Sequence, residues 1–332
     1  MQNETNSKIG LSQVFQLLGI VVCGFLTFGG LSLIFKGNMG VTLFLTALSV
    51  VVPYLLVDYL QKWKTRRRGN KDLQRHSAET ALLLFYLVLF LVLFIIDFHY
   101  IYIDIFNRNE VKKAGLQKVE NVQHLKQSYS DAIEKERNNL AADVNTIDMN
   151  VANGGSRDAA VAELNNLKSR YGVEIAPFNF GDPGSKMAAI EEAQQVMKAN
   201  YLTKDLKALD VIMDGLLKKA QKTFNDWDTK KIAYEFVNVG QLGNRYFELA
   251  QKNMPGFSFT PENVQNVSIQ DPVHSLRFAA VLKIVLVLAG LCLVHLLILA
   301  PWLSAKRSYT GTVENRGTYT NHGDISGMIK QN

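Results

Sequence analysis

Six histidines, His76, His99, His124, His274, His295 and His322, are the side chains best suited to ligate a metal or move a proton near neutral pH, and each stands alone in the chain. A metallopeptidase helix needs two histidines one turn apart with a carboxylate beside them, and no such pair is encoded. The nearest approach to a phosphate loop, Gly181-Asp-Pro-Gly-Ser-Lys186, lacks the four-residue spacer before its Gly and Lys and follows no convincing strand. It reads as a turn followed by a helix cap. No nucleophile elbow, Cys-x-x-Cys pair or dinucleotide fingerprint occurs, and the two cysteines, Cys23 and Cys292, both fall in apolar runs. The expectation is a chain with no catalytic residues, no cofactor, no metal and no small-molecule substrate.

The ionisable residues that stand out are those inside apolar runs, because charge is costly in hydrocarbon: Asp58, Asp97, Lys283 and His295. Asp58, Asp97 and Lys283 lie toward the ends of their runs and are expected at the interface, where Lys283 can extend its ammonium outward. His295 lies deeper. It is expected to be a neutral imidazole bonded to a neighbouring helix; a proton relay would call for an acidic partner at similar depth, and none is obvious.

The elements that carry these residues are long. Four apolar runs, Leu11 to Phe35, Val41 to Leu60, Ala81 to Ile103 and Phe278 to Leu303, each approach or exceed the ~20 residues that span a bilayer. The first lacks a cationic leader and a small-residue cleavage site, so a retained helix is expected. Between the second and third runs lies a basic cluster, Lys62, Lys64, Arg66, Arg67, Arg68, Lys71 and Arg75. The net charge of +6 could point to nucleic acid, but a cluster abutting two membrane helices reads as a topology signal retained in the cytoplasm.

Alternation then gives a cytoplasmic N-terminus (1–10), a hairpin of spans 11–35 and 41–60, a cytoplasmic loop (61–79) and a third span (80–106). An extracytoplasmic domain (107–275), a fourth span (276–303) and a cytoplasmic tail (304–332) follow. Pro53 is expected to kink the second span for packing. Gly19, Gly24, Gly29 and Gly30 are expected to admit close neighbours without forming a GxxxG motif.

Within 107–275, apolar residues recur every three or four positions. They predict one long helix from Val111 that ends near Gly154-Gly155, a second capped by Ser156 and stopped at Gly172, and a third capped by Ser185. A fourth opens at Thr203 and a fifth runs from Thr229 to about Gln251. The stretch from Met254 to Val273, with three prolines, predicts an irregular surface segment; Val173 to Phe180 and Phe257 to Ser268 could supply short extended pieces. The fold class expected is an all-α integral membrane protein with four transmembrane helices and an extracytoplasmic helical bundle inserted between helices 3 and 4.

Three functional classes remain. A sensor would use the bundle as an input domain, but the 29 residues after Leu303 are too few for an output module, so a separate partner would be needed. A transporter or channel finds little pathway in four spans without an internal repeat. A structural component of an envelope-spanning machine uses every feature. In its cluster of N-terminal spans, its basic loop around Lys64 to Arg68, its helical outer domain and its closing span, the chain resembles TssN, the inner-membrane subunits of the type VI secretion systems of Bacteroidetes, in which TssN to TssR replace the usual trans-envelope core. The resemblance implies anchoring in the bacterial inner membrane, a periplasmic domain, oligomeric assembly with other membrane and periplasmic subunits, and docking of a cytoplasmic baseplate through the positive loop or tail. It assigns no functional residues.

Overall fold

The computed structural model describes residues 10–65, 72–262 and 267–305, with the side chains of 72–77 left aside. Arg66, Arg67, Arg68 and Lys71 of the basic cluster, and the C-terminal tail, lie outside them. Helix is the only regular structure among the described residues, without a strand, so Val173 to Phe180 and the part of Phe257 to Ser268 that is described run as irregular chain. Four helices are long and apolar enough to cross a membrane: Leu11–Ile34, Met39–Thr65, Ala78–Phe106 and Val281–Ile298. They carry Val21, Phe25, Phe44, Leu84, Val88 and Leu293 exposed on their surfaces, as helices that are apolar all round do when lipid replaces a protein core.

The elements in order are α1 (Leu11–Ile34), α2 (Met39–Thr65), α3 (Asp72–Ile101), a π-helical turn (Tyr102–Phe106), α4 (Arg108–Ala152), α5 (Arg157–Tyr171) and α6 (Pro183–Tyr201). There follow α7 (Lys204–Asp226), α8 (Thr229–Asn253), α9 (Pro272–Phe278), α10 (Val281–Ile298) and α11 (Ala300–Ser304). The chain divides into two compact units. One comprises Gly29–Thr42 with His99–Ala279 and is termed the domain unit; the other, the span unit, holds the rest of α1, α2 and α3 together with α10 and α11.

The span unit closes on Ile20, Cys23, Leu56, Val57, Tyr86, Leu93 and Ile298, with Trp302 against them. Gly19 makes this possible, because its missing side chain leaves the α1 backbone close to the Val294 carbonyl and the Ile298 side chain; a Cβ there would sit 2.9 Å from each. In the domain unit α4 is a spine about 68 Å long at 1.5 Å per residue. Its predicted stripe is buried from Val111 to Ile147. Toward its N-terminal half it packs against α7 and α8, with the Phe224 ring over Gly115 and Val122 against Gly243. Toward its C-terminal half Leu140, Val144 and Ile147 form a second core with Leu167, Tyr171, Ala193 and Met197 of α5 and α6.

Three boundaries differ from the sequence reading. The fourth span does not run unbroken from 276 to 303: Ala279 and Ala280 are extended (ψ 139° in both), and α10 covers only Val281–Ile298. Pro301 has no amide hydrogen with which to continue α10, and Ser275 is held by a side-chain contact described below, which fixes α9 as a separate helix. The helix that carries the second span extends beyond 41–60 at both ends. Asp182 rather than Ser185 caps α6, accepting from the amides of Gly184 (3.1 Å) and Ser185 (3.3 Å), because Pro183 suits the first helical position. Ser156 does cap α5, and Gly172 ends it in the left-handed region at φ 69°.

Candidate functional site

Two members of the basic cluster are placed. Lys62 pairs with Asp58 one turn earlier on α2, which keeps both charges on an exposed face. Lys64 is not a free cation: its Nζ donates to the carbonyls of Trp302 (2.6 Å) and Leu303 (3.3 Å) and lies 5.0 Å from the Trp302 ring centroid. The Trp302 indole donates in turn to Glu79 Oε1 at 3.1 Å. A lysine on the last carbonyls of a helix satisfies orphan acceptors and the helix dipole together, so Lys64 clasps the end of α11 to α2 while Trp302 ties it to α3. The side chain of Arg75 lies outside the described residues.

Asp97 is fully buried in the span unit, where Oδ1 accepts from the Thr27 hydroxyl at 2.8 Å and, among the described residues, Oδ2 has no hydrogen-bond partner. Cys23, one turn before Thr27, lies 3.9 Å from the Thr27 oxygen. His295 fits the expected role of a histidine bonded to a neighbouring helix: its Nδ1 is 3.0 Å from the Tyr86 hydroxyl, and its ring meets Phe90 edge-on at 4.7 Å. Lys283 is half-buried. Tyr86, Phe90, Leu93 and Asp97 recur at helical spacing on α3, so both polar groups share the face that α3 turns to its neighbours.

The most elaborate polar arrangement was not singled out by the sequence. His99 lies at the end of α3, fully buried, with Nε2 2.8 Å from the Ile269 carbonyl and Nδ1 2.7 Å from the Ser275 hydroxyl. A carbonyl only accepts, so Nε2 carries a proton and donates to Ile269; when the ring is neutral, the Ser275 hydroxyl then donates to Nδ1. Five residues further, the π-helical turn re-aims the chain and presents Asp104, whose Oδ1 accepts from Trp227 Nε1 at 2.6 Å and from the Thr229 hydroxyl at 3.2 Å. Arg108 stacks on the Trp227 ring at 5.1 Å. Trp227 itself ends α7 in the left-handed region at φ 55°, where a bulky residue persists only if held. Two further close approaches complete the junction: Gly29 leaves room for the Tyr100 ring, and Gly37 lies against the Lys230 carbonyl. A run of aromatics and acids from Asp97 to Asp104 was the only sequence signal for it.

The segment weighed as a phosphate loop does bind an anion, but an internal one. The Gly181 amide donates to Asp148 Oδ1 and Lys186 Nζ pairs with Oδ2, both at 2.8 Å, and these partners hold the Asp148 carboxyl below the usual carboxylate range, Lys186 contributing most. Among the described residues no group of three His, Cys, Asp or Glu is placed to hold a metal. No family model, curated protein or solved structure matches the chain.

Proposed function

We propose that this chain is a non-enzymatic anchor and assembly component of an envelope-spanning complex, a secretion machine of the type VI kind, in a bacterial inner membrane. The termini and the basic loop are cytoplasmic and the domain between the third and fourth spans is periplasmic, offering its amphipathic helices to other subunits.

The observation that carries this reading is the composition of the domain unit, in which the turn between the first two spans, Gly29–Thr42, belongs to the same compact body as His99–Ala279. A soluble domain tethered by linkers would transmit little force to its membrane helices. Here the Asp104 and His99 clasps and the close approaches at Gly29 and Gly37 fasten the domain to segments of three apolar helices. That is the construction expected of a load-bearing anchor.

Purification of the full chain in mild detergent from its native cell, with identification of what co-elutes, tests the proposal. Other secretion-machine subunits are expected. A histidine kinase in their place would favour a sensor, and a lone protein that conducts ions in liposomes would overturn the anchor reading.

A further inference from the structure

The domain unit contains a cleft of about 480 Å³, a volume typical of small-molecule sites, for which assembly gives no use. Val122 and Leu125 of α4 form one wall and Phe247 of α8 the other. Where α8 passes closest, Gly243 packs directly on Val122, whereas a Cβ at Gly240 would meet nothing nearer than Lys118 Nζ at 4.0 Å, so the floor is open at that point. The third side is Phe259 and Pro261, in the irregular chain after α8. This side is fixed, because the Asn121 amide grips the Glu262 backbone at both ends: Nδ2 donates to its carbonyl (3.0 Å) and Oδ1 accepts from its amide (3.1 Å).

One cation faces this mostly apolar space. Lys118 Nζ lies 3.7 Å from the Phe236 ring centroid, and among the described residues it has neither a carboxylate within ion-pair range nor a hydrogen-bond acceptor. Burial holds its ammonium below the usual lysine range. A ring face replaces only part of the hydration that a half-buried ammonium gives up. A single monovalent head and apolar walls are the complement of a molecule with an apolar body and one negative charge. We propose that this cleft binds an amphiphilic carboxylate, its chain against Val122, Leu125, Phe247 and Phe259 and its head on Lys118.

Octanoate, which stays in water at useful concentrations, is the probe. Its dissociation constant is read by saturation-transfer NMR on the full chain in nanodiscs of zwitterionic lipid. Octanol, with the same chain and no charge, is expected to bind at least about tenfold more weakly, as is octanoate to the Lys118→Met variant, since a charge-assisted contact is lost in both. Gly240→Leu, which fills the open floor, is expected to weaken octanoate and octanol alike. Octyl phosphate binding more tightly than octanoate would identify the head as lipid phosphate and overturn the carboxylate assignment. Equal binding of octanol and octanoate by the unaltered protein would overturn the role given to Lys118 and the carboxylate, and no binding of octanoate would overturn the site itself, neither bearing on assembly.

Discussion

Asp148 and Asp97 are both buried carboxylates, and their hydrogen-bond partners differ. Asp148 has an ammonium and an amide on its two oxygens; Asp97 has one hydroxyl. Because the folded Asp148 carboxyl titrates below its unfolded value, the stability that it contributes is complete above the ordinary aspartate value of about 3.9 and is lost as pH falls from there through the lower folded value. Thermal unfolding of the domain unit, followed in the full chain in detergent, is therefore expected to weaken on acidification below about pH 4, and Asp148→Asn to flatten that dependence. In the span unit Thr27→Val removes the only donor to Asp97 among the described residues while preserving shape. It is expected to cost about 1–3 kcal/mol, the penalty of leaving a buried polar group unmatched, whereas Thr27→Ser retains most of the stability. Resistance to denaturing detergent reads both. The sequence singled out Asp97 and the Gly181 to Lys186 segment but not Asp148 or Thr27: hydropathy averages around a helix and does not say which face a single aspartate occupies, nor that a glycine amide and a lysine in an apparent phosphate loop already hold a carboxylate.

Helices differ in how plainly the sequence declares them. The spacing of Val119, Val122, Leu125, Tyr129 and Ile133 reveals α4 because one stripe of a straight helix is buried along its whole length, which is the condition under which period reports structure. The break at Ala279 and Ala280 is invisible for the converse reason. Alanine is the best helix former, and the His99 contact that holds Ser275 of α9 comes from far away in the sequence. The π-helical turn and the left-handed Trp227 are likewise products of the Asp104 clasp rather than of local preference. Trp227→Phe keeps an aromatic ring, though a smaller one, and removes its donor to a carboxylate, and is expected to cost about 1.5–3 kcal/mol in the melting of the domain unit. Close approach makes a sharper prediction between two glycines of apolar helices. Gly29→Leu would drive a side chain into the Tyr100 ring and is expected to destabilise by about 1–3 kcal/mol or more, while Gly290→Leu, with open space around it, is expected to be neutral. Melting and elution profiles of the two purified variants distinguish these outcomes.

At the scale of the whole molecule, four helices able to cross a membrane and one large helical body were legible from hydropathy, because runs of bilayer length are rare in other proteins. That the first hairpin's turn belongs to that body was not legible, since nothing in Lys36-Gly37-Asn38-Met39-Gly40 announces a tertiary partner. The proposed anchor depends on sidedness: the basic loop must face the cytoplasm and the domain the opposite compartment. Thr65 and Ser130 are both exposed, one at the edge of the basic loop and one on α4. In a background with Cys23 and Cys292 replaced by alanine, Thr65→Cys and Ser130→Cys are each treated with a membrane-impermeant thiol reagent in cells whose outer membrane alone has been permeabilised. Labelling at position 130 and protection at 65 until the inner membrane is opened is the expected result. Labelling at 65 with protection at 130 would contradict the orientation and, with it, the periplasmic platform.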